Sequence, residues 1–251
     1  MKFHLIFLLC IAIVNAKLVM IIRHGEKISN AVTNLSPEGE ARAICLLNVF
    51  GTNGTYVSPQ KIFAQNPTLR RRSTRPRDTV IPLAKSLGLQ VDLSYTSRKT
   101  QKLVEDIMNS PEEVILVSWS KQRIPEIASY LGVENPPKWG KHFDKIWMIS
   151  DGRTSYFNDF NDKNKNNFTD NIVETKKFDK NNSKILRIQK GGDDLDNELS
   201  INTHSFFANT NDSDGKDNDK ERNSPVIFEI LKQNIDDCMH KKMKEIKNNN
   251  H

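Results

Sequence analysis

The sequence contains little cysteine, with only Cys10, Cys45 and Cys238 among its 251 residues. Three cysteines are too few for a disulfide-rich scaffold. Because Cys10 lies in an apolar amino-terminal segment that we predict to be removed, Cys45 and Cys238 are the one pair that an oxidising compartment could bridge. We favour a free, buried Cys45 on an amphipathic helix, since cysteine packs as a small apolar side chain.

Patterns of metal ligands are also missing from the sequence. No group of His, Cys and carboxylate residues has the spacing of a zinc site. The Gly-Gly-Asp-Asp segment at 191–194 lacks the spaced acids and the closing Glu of a calcium-binding loop, so we expect a turn there. The sequence therefore predicts no metal and no cofactor.

Long apolar runs are absent as well, because the run at 5–14 is well short of the roughly 20 residues that cross a bilayer. Lys2 before this run and the small residues up to Ala16 after it are typical of a cleaved signal peptide over 1–16. We therefore predict a secreted protein without stable membrane insertion. Its Asn-X-Ser/Thr triplets fit a secreted glycoprotein and begin at Asn34, Asn53, Asn167, Asn181 and Asn211.

The charge balance favours anionic ligands or surfaces, since 37 Lys and Arg residues outnumber 31 Asp and Glu residues and give a net charge of +6. No basic patch is interleaved with aromatic residues, so we predict no nucleic-acid partner. Nothing in the sequence indicates an oligomer interface, and we expect a monomer.

Short apolar runs alternate with amphipathic segments over most of the first 150 residues. Strands are predicted at 17–22, 61–65, 89–93, 114–119 and 144–149, and helices at 36–50, 79–87, 97–108 and 125–131. Ser36 and Pro37 are typical of a helix start, and Gly88 of a helix end. This alternation predicts an α/β fold, a three-layer sandwich with a mostly parallel central sheet flanked by helices.

The composition changes after residue 157, which sets the predicted domain boundaries. One α/β domain is expected over 17–157. Residues 158–183 and 209–224 are rich in Asn, Asp and Lys, which predicts a low-complexity insertion and a linker without ordered elements. Residues 184–208 are interpreted as a return of the chain to the domain. A basic amphipathic helix is predicted over 225–247, within a basic carboxyl-terminal helix or tail over 225–251 that packs on the domain, binds an anionic surface or is free.

The motif that carries chemistry is Arg23-His24-Gly25-Glu26, directly after the first predicted strand. Ligands of α/β sheets bind at such strand ends. A neutral imidazole can attack phosphorus, and an adjacent guanidinium can neutralise phosphate oxygens. The alternative is a surface histidine in a polar loop, and four residues alone do not decide between the two.

Longer segments resemble the histidine phosphatase superfamily, the phosphoglycerate-mutase-like proteins. Residues 21–26, followed by Leu-Ser-Pro-Glu-Gly at 35–39, are similar to the opening segment of that family. Residues 75–84, 115–119 and 143–147 resemble a secreted fungal branch of it, and residues 186–194 do so more weakly. The resemblance implies a phosphoglycerate-mutase-like form of the α/β fold and a phosphohistidine mechanism that needs no metal.

The resemblance also implies a role for each matched residue. His24 would accept the phosphoryl group and then release it to water, while Arg23 and Arg75 would bind the phosphate oxygens with their planar forks. Other arginines surround Arg75, and most of such a run is expected to be solvated: Arg70, Arg71, Arg72 and Arg77. The implied ligand is a phosphorylated or otherwise anionic small molecule.

The sequence departs from the family after Trp119, where the resemblance implies Glu-His and this chain has Ser120 and Lys121. Lys121 offers phosphate a positive charge but lacks the proton handling of an imidazole. The first hypothesis is therefore a secreted phosphomonoesterase acting through phospho-His24, and the second is an inactive protein of that fold that binds a phosphorylated or anionic ligand. A third is a surface protein whose core is only a scaffold. Residue type alone nominates three general acids: Glu26, Asp92 and Glu105.

Overall fold

The computed structural model describes residues 17–29, 31–151, 172–177 and 226–248. Its strands are β1 (Leu18–Arg23), β2 (Lys61–Ala64), β3 (Val91–Asp92), β4 (Val114–Trp119), β5 (Lys145–Ser150), β6 (Ile172–Lys177) and β7 (Ile227–Lys232). Its helices are α1 (Pro37–Cys45), α2 (Leu47–Phe50), α3 (Arg75–Leu87), α4 (Thr100–Asn109), α5 (Ile124–Tyr130) and α6 (Asp236–Asn248).

The strands form one seven-stranded sheet in the order β3-β2-β4-β1-β5-β7-β6. The pairs β3–β2, β2–β4 and β4–β1 are parallel. The pairs β1–β5, β5–β7 and β7–β6 are antiparallel. The predicted α/β fold with helices flanking a central sheet is confirmed, whereas the prediction of a mostly parallel sheet is wrong, because the sheet is mixed.

The direction of β5 explains this difference. After α5, the non-helical segment 131–144 brings the chain to the carboxyl end of β1, where the Lys141 carbonyl accepts a hydrogen bond from Arg23. β5 therefore starts at that end and runs the opposite way, so that Ile146 pairs with Ile22. The sequence pattern predicts α5, but it contains no signal for the additional crossing by segment 131–144. Antiparallel neighbouring strands need no helical crossover between them.

Alternate side chains of β1 enter two cores on opposite faces of the sheet. Leu18, Met20 and Ile22 pack in a core that includes residues of α1, α2, α3 and α6. Val19 and Ile21 pack in a second core that includes residues of α4 and α5. Burial on both faces is the reason why β1 is a continuous apolar run, and it fixes the position of the residues that follow the strand.

The predicted helix signals are confirmed at α1 and α3. The Ser36 hydroxyl accepts a hydrogen bond of 3.2 Å from the Gly39 amide, and Pro37 is the first helical residue. Gly88 ends α3 with a φ of 68°, a left-handed conformation that glycine adopts without strain. Helix α3 starts at Arg75, earlier than predicted, which places that arginine at a helix start.

The carboxyl-terminal segment differs from its prediction. The helix predicted over 225–247 is wrong in its first half, where β7 pairs with β5, because a short apolar run fits a buried strand or a helix equally well. Helix α6 packs on α1, and a disulfide joins Cys45 to Cys238 with Cα atoms 5.9 Å apart. The interpretation of Cys45 as a free buried residue is therefore wrong.

Strand β6 lies inside 158–183, where the sequence predicts no ordered element. Its β-branched residues Ile172, Val173 and Thr175 favour a strand despite the polar composition around them. The predicted signal peptide (1–16), return segment (184–208) and linker (209–224) lie outside the described residues, as do three of the glycosylation triplets: Asn167, Asn181 and Asn211. Within the described ranges, no helix has the length and apolar character to cross a membrane.

Candidate active site

The carboxyl ends of β1 and β4 lie side by side and deliver the motif residues to one place. Arg23 pairs with Trp119 in the parallel ladder, and the His24 amide donates a hydrogen bond of 3.2 Å to the Trp119 carbonyl. The start of α3 reaches the same edge. As a result, the four side chains singled out from the sequence line one cavity of about 960 Å³: Arg23, His24, Arg75 and Lys121.

His24 is almost fully buried, with 9% of its surface exposed. Its Nδ1 lies 2.7 Å from the Gly25 carbonyl oxygen. A carbonyl oxygen only accepts, so Nδ1 carries the hydrogen and Nε2 retains its lone pair. Burial lowers the pKa of His24 to about 4, and the nearby charges of Arg23 and Arg75 also lower it. The imidazole is therefore neutral at neutral pH, the form that can act as a nucleophile.

Arg23 is held between a carbonyl and an aromatic ring. Its Nη1 donates a hydrogen bond of 2.6 Å to the Lys141 carbonyl, and its guanidinium carbon lies 3.7 Å from the centre of the Phe143 ring. Burial lowers the pKa of Arg23 to about 10, so the side chain stays positively charged at neutral pH. Its Nε has no hydrogen-bond partner among the described residues.

Arg75 is also buried and is fixed through the backbone of a neighbouring loop. Its Nη1 donates a hydrogen bond of 2.7 Å to the Val32 carbonyl, and its Nε is unpartnered within the described part of the chain. The Thr79 hydroxyl donates to the Arg75 carbonyl at 2.7 Å and accepts from the Gly25 amide at 2.8 Å. Thr79 therefore connects the loop that carries His24 to the helix that carries Arg75.

Lys121 has a looser environment than the two arginines. Its Nζ lies 3.4 Å from the Gly140 carbonyl oxygen, a long hydrogen bond at an exposed position. The Ser120 amide donates to the Gln65 side-chain oxygen at 3.3 Å, which connects this loop to the end of β2. Lys121 thus brings a positive charge to the cavity on a flexible side chain. Its ammonium group lacks the fixed donor geometry of a histidine ring nitrogen.

Glu26 holds the motif loop in place through a buried ion pair. Arg42 of α1 donates from Nε and Nη2 to the Glu26 carboxylate at 2.7 to 3.0 Å. Arg42 Nη1 donates to the Gln233 side-chain oxygen at 2.6 Å, and Gln233 Nε2 donates to the Phe143 carbonyl at 3.2 Å. This Glu26–Arg42–Gln233 network therefore ends at Phe143, the residue that packs on Arg23.

Sequence reasoning missed most of this support. Arg42 is a charged residue on an amphipathic helix, and Gln233 lies 191 positions further along the chain, so no local pattern connects them. Phe143 lies in a segment that resembles the family, but residue type assigns it no role. Of the nominal general acids, Glu26 is engaged by Arg42, while Asp92 and Glu105 do not line the cavity.

Further charged residues line the cavity besides the predicted ones. Arg70, Arg71 and Arg72 do so while remaining exposed, whereas Arg77 pairs with Asp78 and does not. Glu38 also lines the cavity, and the structure shows no ion pair for it with any described residue. The site is therefore strongly cationic and suits an anionic ligand.

The described residues contain no group of three or more His, Cys, Asp and Glu side chains that could hold a metal ion. The comparisons with known proteins add no assignment. No family model matches the chain, and no curated protein matches it at a significant level.

Proposed function

We propose that this protein is a phosphomonoester hydrolase that acts through a phosphohistidine at His24. The observation that carries the proposal is the state of this side chain: a buried, neutral imidazole whose Nδ1–H is bound to the Gly25 carbonyl, with Nε2 left as the nucleophile. The finer fold assignment, to the histidine phosphatase superfamily, belongs to the same proposal. It is supported by the position of Arg23 and His24 at the end of the central strand β1.

The chemistry consists of two displacements at phosphorus. In the first, Nε2 of His24 attacks, an N–P bond forms, and the ester P–O bond breaks with its electron pair on the alcohol oxygen, which takes up a proton. In the second, water attacks the phosphohistidine, the N–P bond breaks, and inorganic phosphate leaves. The positive charge that the phosphorylated ring carries is stabilised by the hydrogen bond from Nδ1 to the Gly25 carbonyl.

Arg23 and Arg75 neutralise the phosphate in both steps. Each guanidinium uses Nη1 for a backbone carbonyl, which fixes its position and leaves other N–H donors for phosphate oxygens. Transferring phosphoryl groups are stabilised mainly by such preorganised positive charge. Because both arginines are buried and each is fixed by a backbone carbonyl, little reorganisation is needed when phosphate binds.

Glu38 is the proton donor that the proposal names for the leaving alcohol. It lines the cavity, and unlike Glu26 it is not engaged by an arginine among the described residues. Proton donation by a carboxyl group matters most when the alcohol is a poor leaving group. Glu38→Gln should therefore slow hydrolysis of an alkyl phosphate far more than hydrolysis of p-nitrophenyl phosphate.

A second candidate function is binding without turnover, and Lys121 is the observation that favours it. The family resemblance implies a histidine at this position, and the half-buried Lys121 is held only by a long hydrogen bond from its Nζ. Under this alternative, the cavity would bind a phosphorylated ligand through Arg23 and Arg75, and His24 would stay unmodified.

The experiment that decides between them is hydrolysis of p-nitrophenyl phosphate by the purified protein from acidic to neutral pH. Turnover should persist down to about pH 4, because His24 stays neutral to that pH. His24→Ala should reduce kcat/KM by about a thousandfold or more, as expected for loss of a nucleophile. The matched control is His142→Ala, since this exposed histidine does not line the cavity.

Lys121→His separates the two candidate functions. If the natural protein is inert and Lys121→His acquires turnover that depends on His24, the inactive binding protein is the correct description. If the natural protein is active and His24→Ala retains that activity, the proposed mechanism is wrong.

A further inference from the structure

The cavity contains more positive charge than one phosphate group can neutralise. Among the described residues, eight Lys and Arg side chains line it, against the two carboxylates of Glu26 and Glu38. Glu26 is already paired with Arg42, which is not one of those eight. A phosphomonoester carries a charge of about −2 at neutral pH. A substrate with a single phosphate therefore offsets only part of the positive charge that lines the cavity.

The excess charge is concentrated in the segment Arg70–Arg72, which the role of Arg75 does not explain. This segment is a defined turn, because the Thr68 and Arg71 backbones exchange two hydrogen bonds of 2.9 and 3.0 Å. The side chain of Arg71 donates to the buried Ser97 hydroxyl at 3.2 Å. The turn is thus attached to the domain at its centre, unlike a freely solvated basic loop.

Arg70 and Arg72, on either side of that attachment, carry no hydrogen bond or ion pair with any described residue, although both line the cavity. Uncompensated like charges two residues apart repel one another and favour a bound anion. Because the turn already fixes their backbones, an anion placed between them would restrict only the two side chains.

We propose that Arg70 and Arg72 form a second anion subsite, and that the substrate is a small molecule with at least two phosphate groups. This inference rests on the proposed function, since the first phosphate binds at His24 between Arg23 and Arg75. The second phosphate binds at the turn. The cavity volume of about 960 Å³ is at the upper end of small-molecule sites, which suits a bisphosphate better than a single phosphate group.

The test compares glucose 1,6-bisphosphate with glucose 6-phosphate as substrates of the natural protein and of the double variant Arg70→Ala/Arg72→Ala. The natural protein should prefer the bisphosphate by about tenfold or more in kcat/KM, the effect expected for two charged contacts. The double variant should raise KM for the bisphosphate by about tenfold and change KM for the monophosphate by less than about threefold. The matched control, Arg98→Ala/Lys102→Ala, removes two exposed cations outside the cavity and should change neither.

Binding measured by titration calorimetry distinguishes failure of the subsite from failure of the phosphatase proposal. If the protein hydrolyses neither sugar phosphate, the subsite is still supported when the bisphosphate binds about tenfold more tightly than the monophosphate and Arg70→Ala/Arg72→Ala removes that difference. If the protein hydrolyses both with equal kcat/KM, or if the double variant affects both equally, the subsite is overturned while phosphatase activity stands.

Discussion

The two halves of the sheet contribute to the cavity in different ways. In the parallel half, β1 and β4 end at the cavity; His24, the proposed nucleophile, follows β1, and Lys121 lies in the loop after β4. In the antiparallel half, no residue of β5 or β7 lines the cavity. That half instead contributes Phe143, just before β5, and Gln233, just after β7, which hold Arg23 and Arg42 in place.

The proposed reacting groups and the residues that hold them in place therefore come from distant parts of the chain. A strand end fixes a side chain only at its backbone, and the orientation of a long arginine needs contacts from elsewhere. Here those contacts come from the return of the chain through β5 and β7. Changes in the antiparallel half should therefore affect substrate binding without removing any reacting group.

The largest effect on the free energy of unfolding is expected when the disulfide between Cys45 and Cys238 is removed. Cys45 lies on α1 beside the motif loop, and Cys238 lies on α6 after β7, 193 positions away. Closure of such a long loop is worth about 5 kcal/mol through the unfolded chain. Cys45→Ser/Cys238→Ser should lower the free energy of unfolding by about that amount, as measured by urea denaturation. A loss below about 1 kcal/mol in the double variant, or a natural protein whose free energy of unfolding does not change on reduction, would contradict the link.

A somewhat smaller effect is expected from protonation in the parallel half. The pKa of His24 is about 4 in the folded protein because of burial, and about 6.5 in an unfolded chain. Between these values the unfolded chain binds more protons, so stability falls as the pH drops from about 6.5 to about 4. The loss should reach about 3 kcal/mol.

The measurement for this second prediction is the free energy of unfolding at several pH values for the natural protein and for His24→Gln. The difference between the two proteins should change across that pH window and stay constant above it. A constant difference at all pH values would show that His24 titrates normally and is not buried as described.

The smallest effect on stability is expected from Gln233→Ala, which changes only a residue that holds Arg42 and Phe143 in place. This change removes the hydrogen bonds to Arg42 and to the Phe143 carbonyl and should lower the free energy of unfolding by about 2 kcal/mol. Because Phe143 then holds Arg23 less firmly, KM for p-nitrophenyl phosphate should rise about fivefold with kcat within about twofold.

Gln60→Ala is the control for that prediction. Gln60 also accepts backbone hydrogen bonds, from the Glu113 and Val114 amides, but it does not line the cavity or contact its support. It should lower stability without a change in KM. If both variants raise KM equally, the effect of Gln233 is a general loss of stability and the division of labour between the two halves is wrong.

The sequence predicts those features of the fold that are encoded within a few neighbouring residues. The cap at Ser36, the left-handed glycine at position 88 and the apolar run of β1 each lie within a few residues, and the structure has all three. The direction of β5 depends on a crossing without helical periodicity, and β7 resembles a helix because its apolar run is short. Neither has a local signal that fixes the outcome.

In the candidate site too, only the features with a local sequence signal are predictable. Arg23 and His24 are adjacent and follow a buried strand, so their position at a strand end is predictable from the sequence. Arg75 at the same cavity is expected only from the family resemblance. The pairing of Glu26 with Arg42, and of Arg42 with Gln233, depends on how α1 and β7 pack, which residue spacing does not encode.

In the proposed mechanism His24 carries the phosphoryl group, and trapping that group on the protein tests this directly. The protein is mixed with a phosphomonoester, quenched in alkali, where phosphohistidine survives, and digested for mass spectrometry of the peptide that contains His24. The account predicts an acid-labile phosphoryl group on His24 that is absent from His24→Ala and retained in His142→Ala. Turnover without any phosphoryl group on His24, or its appearance on another residue, would contradict the account.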